Sequence, residues 1–277
     1  MRRASYWSWL WLALGSLYFA LPLLATLQFS LLAKKGEIGL TAYASVFRDS
    51  GFAASFAFSF QTALATILVS ALLIVPTTYW VHLRLPELRP LIEFLTLLPF
   101  VVPAVVLVFG LARSYNRTPL TDSHGGLHVL LIAAYVVLSF PYMYRAVDTG
   151  LRAINVRALT EAAQSLGAGW PTILFRVIFP NVFVALLSGA FVTFAIVMGE
   201  FTIAALLAQP AFGPYINLLS SSKVYEPSAL AVVSFALTWA SIGLLQWLSR
   251  GVGQGKMQNA RCKMQDARCK RGSDAVS

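Results

Sequence analysis

Seven stretches of this chain contain no Lys, Arg, Asp or Glu. They hold 30, 34, 19, 22, 23, 22 and 23 residues, bounded by Arg3, Lys34, Asp49, Arg84, Glu93, Arg113, Asp122, Arg145, Arg176, Glu200, Lys223, Glu226 and Arg250. A bilayer core is about 30 Å thick, so a crossing helix needs roughly 20 apolar residues. Each stretch meets that length. Charged residues make up 12% of the chain, against about a quarter in a soluble domain. A soluble globular domain, a disordered protein and a disulfide-stapled secreted module are all excluded. The net charge of +10 would suggest nucleic acid in a soluble protein. Here the charges lie between long apolar runs, so a membrane comes first and nucleic acid is not an expected partner.

The two stretches flanking Glu200 count as one span. After Ala208 the second is broken by Gln209, Pro210, Gly213, Pro214, Asn217 and three serines. Unpaired backbone is costly in hydrocarbon. The sequence therefore predicts one span over 182–207 with Glu200 inside it, followed by a loop that can re-enter the membrane. The fold class is all-α and polytopic, with six transmembrane helices. With the N-terminus inside, the cytoplasmic segments carry 15 Lys and Arg and the external loops carry 6. That asymmetry favours cytoplasmic N- and C-termini. The first apolar run is too long for a signal-peptide core and lacks a convincing A-x-A site. It reads as an uncleaved span with Trp7, Trp9, Trp11 and Tyr18 near its start.

Three regions follow: residues 1–52, the first span and an external loop; residues 53–250, the core with a cytoplasmic loop over 146–178; and residues 251–277, a basic tail. The tail holds a tandem repeat, KMQNARC then KMQDARC. Its low apolar content predicts disorder. It reads as an accidental extension or as a basic strip touching anionic lipid.

The loop over 146–178 is the longest cytoplasmic segment. Leu151, Ile154, Ala158, Leu159, Ala162, Ala163 and Leu166 recur at helical spacing. Arg152, Asn155, Arg157, Glu161, Gln164 and Ser165 lie largely opposite. Gly167 is placed to end the helix in a left-handed cap, and Trp170-Pro171 can start the next. Periodicity alone fits equally a helix lying at the bilayer interface and a docking helix for a soluble partner.

The residues also carry a pattern. Glu161-Ala162-Ala163, three residues, Gly167, nine residues, Val177, one residue, Phe179-Pro180 resembles the EAA loop of ABC importer inner-membrane permeases. Val177 stands where that family has Ile, and Phe179 where it has Leu. The resemblance implies a type I ABC importer permease fold of six helices in a bacterial inner membrane. It implies a transport subunit and not an enzyme, without catalytic residues, metal or cofactor of its own. ATP would be hydrolysed on another chain, since no GxxxxGK[ST] phosphate loop occurs here. Two ABC ATPase subunits, a second permease subunit (homologous or identical), an external solute-binding protein and membrane lipid are the implied partners. Glu161, Ala162, Ala163, Gly167, Leu159, Leu166 and Pro180 would couple the permease to the ATPase. Glu161 would offer a carboxylate, and the alanines would allow close approach.

Glu200, in Val197-Met198-Gly199-Glu200-Phe201-Thr202, is the second candidate. A charge at the centre of a span costs roughly 2.5 to 3.5 kcal/mol. It therefore faces a cavity or a partner, or is protonated, and acts either as a pathway residue touching substrate or as a structural pair. Gly199 beside it can allow a kink or close helix packing. The string GEFTIAALLAQPAFGPYINLL with KVYEPSALAVVSFALTW is most similar to spermidine/putrescine-type permeases, which implies a polyamine. Ferric iron, thiamine, phosphonate or another small polar solute stays open, as does an ion-coupled secondary transporter. His124 and His128 are four apart, but Gly125 and Gly126 argue against a firm helix and no third metal ligand follows.

Overall fold

The computed structural model describes residues 6–32, 39–237, 239–240 and 243. The regular elements among the described residues are helices. They are α1 (Tyr6–Leu31), α2 (Thr41–Arg48), α3 (Ser50–Arg84), α4 (Arg89–Thr96), α5 (Leu98–Val101), α6 (Ala104–Tyr115), α7 (Pro119–Asp122), α8 (His124–Arg152), α9 (Val156–Ser165), α10 (Trp170–Thr172), α11 (Phe179–Gly199), α12 (Thr202–Leu206) and α13 (Phe212–Ser222). A further apolar helix, α14, covers Glu226–Leu237. The basic tail and the last part of the expected sixth span, from residue 244 on, lie outside the described residues.

Among the described residues, four helices are long and apolar enough to cross a membrane, or five if a broken pair counts as one span. The third expected span, 94–112, is that broken pair: α5 stops at Val101 and α6 starts at Ala104. Pro103 stands between them with extended backbone, and its ring removes the N–H that would continue the helix.

The described chain divides into two compact units. One comprises, among the described residues, 6–32, 39–66, 102–135 and 195–237. Its core gathers Val46, Phe212, Leu219 and Leu230, with Phe52, Phe56, Met198, Tyr215 and Ile216 packed around them. Ser30 at the end of α1 hydrogen-bonds Tyr43 of α2 at 2.7 Å. Ser59 of α3 accepts the backbone N–H of Phe212 at 2.8 Å, at the start of α13.

The other unit comprises, among the described residues, 67–101, 136–194, 239, 240 and 243. Its core holds Tyr79, Met143, Val147, Leu151, Val156, Ile173, Ile178 and Val182 among others. Lipid is as apolar as leucine, so helices in a bilayer gain most from close packing of small residues. Here Gly150 and Gly189 of α8 and α11 provide it. A Cβ at Gly150 would sit 2.6 Å from the Ala185 Cβ, and one at Gly189 would sit 2.9 Å from the Ala146 Cβ. Gly199, the expected packing glycine, has open space around it.

Two local expectations are corrected. The stretch after Ala208 is not a loop over most of its length, because α13 runs through Gly213, Pro214, Asn217 and the three serines. Pro214 falls in the first turn, where no intrahelical N–H bond is lost. The hydroxyls of Ser220, Ser221 and Ser222 donate back to carbonyls three residues earlier. Gly125 and Gly126 lie inside α8, not in a loop. Ser123 Oγ accepts the Gly126 N–H at 3.0 Å, and a Cβ on Gly126 would meet the Leu120 carbonyl oxygen at 2.4 Å. The glycine is there for room. His128, in α8, hydrogen-bonds Thr62 at 2.8 Å.

Candidate functional site

The expected loop helix is built differently from its apolar stripe. Arg152 closes α8, the chain breaks over 153–155, and α9 begins at Val156. Asn155 caps α9, its Oδ1 accepting the Ala158 N–H at 3.1 Å. Such caps satisfy one of the orphan donors of the first turn. The C-terminus closes as the sequence predicts. Gly167 has φ +75, its N–H bonds the Gln164 carbonyl at 2.8 Å, and the Ala168 N–H reaches back to the Ala163 carbonyl at 3.0 Å. These are the two bonds of a Schellman motif. Trp170-Pro171 then opens α10.

Val156, Thr160 and Ala163 are buried, and α9 packs on the turn over 173–178. The opposite face is open. Ala158, Glu161, Ala162, Ser165 and Gly167 are exposed, and Leu166 is 88% exposed. Three residues of the predicted apolar stripe therefore face outward: Ala158, Ala162 and Leu166 share that side with Glu161. Leu159 is half-buried and Ala163 faces inward, so these two seat the helix. Glu161 reaches Arg157 at 3.5 Å with both side chains well exposed. An exposed pair of this kind adds little stability. The carboxylate is thus available to another molecule at small cost.

Pro180 is the second residue of α11, directly after a π-helical turn over Ile173–Ile178. Proline cannot donate to the carbonyl four residues back. The Phe179 N–H instead bonds the Leu174 carbonyl, five back.

Sequence reasoning missed the charged cluster around Asp148. Asp148 of α8 is buried. Its carboxylate lies 2.7 Å from His82 Nε2, 3.0 Å from Arg89 Nη2 and 2.7 Å from Arg152 Nη2. Arg152 also reaches Glu93 at 2.7 Å. The pairs Asp148/Arg152 and Arg89/Glu93 are each four apart, a signal readable in sequence. Their convergence on Asp148 is not.

Glu200 does not lie inside a span helix. α11 ends at Gly199, and Glu200 occupies the break before α12. Both carboxylate oxygens accept the Ile203 N–H at 3.0 Å, and Oε2 accepts the Ala204 N–H at 3.4 Å and the Tyr135 hydroxyl at 3.1 Å. The side chain caps the next short helix. α12 closes at Ala208, which has φ +50, with the Gln209 N–H on the Ala204 carbonyl at 2.9 Å. The start of α13 then presses on this break, because a Cβ at Gly213 would meet the Glu200 carbonyl oxygen at 2.6 Å. Beside it lies a cavity of about 520 Å³ whose polar lining comes from Ser55, Gln209, Tyr215, Asn217 and Ser221. Among the described residues no charged side chain lines it.

Over residues 87–254, more than half of its length, the chain matches the family described as "Binding-protein-dependent transport system inner membrane component". It is 28% identical over 181 residues to the molybdenum transport system permease protein ModB of Escherichia coli K12, covering 58% of this chain and 78% of ModB. It is 27% identical over 124 residues to the spermidine/putrescine permease PotC of Haemophilus influenzae, covering 43% of this chain and 48% of PotC. In fold it is similar to the crystal structure of a bacterial ABC transporter involved in the import of the acidic polysaccharide alginate. The TM-score is 0.61 at 18% identity, covering 86% of this chain and 93% of that one.

Proposed function

Because the chain belongs to the family of binding-protein-dependent transport system inner membrane components, we propose that it forms half of the translocation path of an ATP-driven importer and takes its power stroke through α9. The observation that carries this reading is the open face of α9. Two alanines, an exposed leucine and a carboxylate stand on a helix held from behind by Val156, Thr160 and Ala163. Small side chains let a partner's cleft approach the helix closely. Glu161 meets a basic or polar group there, and Leu166 fills an apolar notch. Gly167 turns the chain away from the partner.

Two ATPase subunits, a second permease subunit and an external solute-binding protein complete the assembly. The N- and C-termini face the cytoplasm, which puts α9 on the ATP-containing side. Closure of the ATPase pair moves α9 as a rigid body and switches the spans between inward- and outward-open states.

For the solute we propose a polyamine, on the strength of the likeness of GEFTIAALLAQPAFGPYINLL and KVYEPSALAVVSFALTW to spermidine/putrescine-type permeases. An oxyanion is the second reading. It is favoured by the engagement of Glu200 with backbone N–H groups and by the uncharged lining of the neighbouring cavity. Competition for uptake between labelled spermidine and molybdate separates the two.

In vesicles holding the full transporter, Glu161→Lys is expected to leave membrane insertion intact while the ATPase subunits no longer co-purify and uptake stops. Wild-type uptake by this variant would overturn the docking role of α9.

A further inference from the structure

We propose that the last turns of α3, and not the chain connections of α9 alone, carry the movement of α9 into the body of the protein, with Tyr79, Trp80 and His82 as positioning residues. This rests on the reading of α9 as the docking helix.

The two covalent joints of α9 are poor conductors of force. On one side the helix is interrupted over 153–155. On the other stand Gly167, with positive φ and open space around it, and Gly169, whose nearest neighbour would be a proline ring at 3.9 Å. Joints of this kind absorb rotation. A push on α9 must reach the rest of the unit through side chains.

The end of α3 touches the chain on both sides of both joints. Tyr79 is buried, and its hydroxyl lies 3.0 Å from Thr160 Oγ1 in α9. Thr160 has one hydroxyl proton and gives it to the Val156 carbonyl at 2.7 Å. Tyr79 is therefore the donor, and the bond has a fixed direction. Trp80 stacks on Trp170 of α10, with ring centroids 4.9 Å apart and planes 27° apart. The Arg84 guanidinium lies 5.9 Å from both indole centroids. His82 hydrogen-bonds Asp148 of α8 at 2.7 Å, and Asp148 is held by Arg89 and Arg152 as well. One helix end thus grips α8 before the first joint, α9 between the joints and α10 after the second. α9 cannot turn about its joints without carrying α3 or breaking these contacts.

The test uses the complete transporter in proteoliposomes and reads labelled spermidine imported per ATP hydrolysed, or labelled molybdate where the competition for uptake favours it. Tyr79→Phe and Thr160→Val remove the same hydrogen bond from its two ends. Each is expected to lower import per ATP by roughly threefold, the order of one hydrogen bond, with the ATPase subunits still bound. The double variant is expected to fall no further than the singles, as for a shared contact. Thr160→Ser keeps the acceptor oxygen and is expected to restore the ratio. An unchanged ratio in Tyr79→Phe overturns the proposal, as does loss of complex in parallel with rate at constant ratio. Should Thr160→Val fail to assemble, Trp80→Leu provides the same reading through the indole stack. Binding of the ATPase subunits to Glu161→Lys would instead overturn the premise about α9, a result that the ratio does not measure.

Discussion

Both carboxylate oxygens of Glu200 lie 3.0 Å from the backbone nitrogen of Ile203. The acidic group between two apolar stretches is therefore the cap of a five-residue helix, tied also to Tyr135. Its role in the local structure follows from what its neutral and truncated replacements would do. Glu200→Gln keeps an acceptor for the Ile203 N–H and is expected to retain most of the wild-type thermal stability and uptake. Glu200→Ala removes the cap and is expected to cost about 1 kcal/mol, measured as a lowered Tm of the detergent-solubilised transporter. Loss of uptake in Glu200→Gln at unchanged Tm would point to the charge itself and contradict a capping role.

Gly167 sits at φ +75, and a Cβ placed on it would meet nothing within 4 Å, so its requirement is conformational and not steric. Asparagine enters the left-handed region readily, whereas a β-branched residue does so rarely. Gly167→Asn should retain function. Gly167→Val should weaken the closure of α9 by about 1–2 kcal/mol, seen as faster limited proteolysis between α9 and α10. Equal protection of the two variants would contradict this.

Ala208 closes α12 at φ +50 without being glycine. The left-handed conformation costs an L-residue about 1–2 kcal/mol, and glycine gives back part of that gain in chain entropy. Ala208→Gly is expected to raise stability by roughly 0.5–1 kcal/mol. A fall in Tm would show that the Ala208 methyl makes a contact worth more than the strain.

Gly150 of α8 packs directly against Ala185 of α11. With 2.6 Å between a Cβ at Gly150 and the Ala185 Cβ, Gly150→Ala should destabilise the helix pair by about 1–3 kcal/mol, the usual range for overpacking. Adding Ala185→Gly removes the opposing methyl and should recover part of the loss. Strict additivity of the two changes in thermal unfolding would place the strain elsewhere.

Much of the fold is written locally. Charge-free runs long enough to cross a bilayer mark α3, α8 and α11 because hydrocarbon rejects charge along the whole crossing. Gly167 announces its cap because a residue without a Cβ enters the left-handed region at little cost, and Trp170-Pro171 announces a helix start because proline needs no N–H there. The spacing from Glu161 to Pro180 marks α9 as the segment of interest. The outward turn of Ala158, Ala162 and Leu166 is not legible in the same way. All three belong to the same apolar stripe as Ala163, and which side is covered depends on how the turn over 173–178 folds back against the helix.

An all-helical membrane chain, the position of α9 and the ends of that helix can be read from the residues in order, since each depends on a residue's own backbone and solvation preferences. Only the packing of the helices settles that Glu200 caps α12 instead of crossing inside a span, that Asp148 gathers His82, Arg89 and Arg152, and that Tyr79 reaches Thr160. A buried polar group takes whichever partner the packed helices bring within hydrogen-bond distance, and no periodicity along the chain records that meeting.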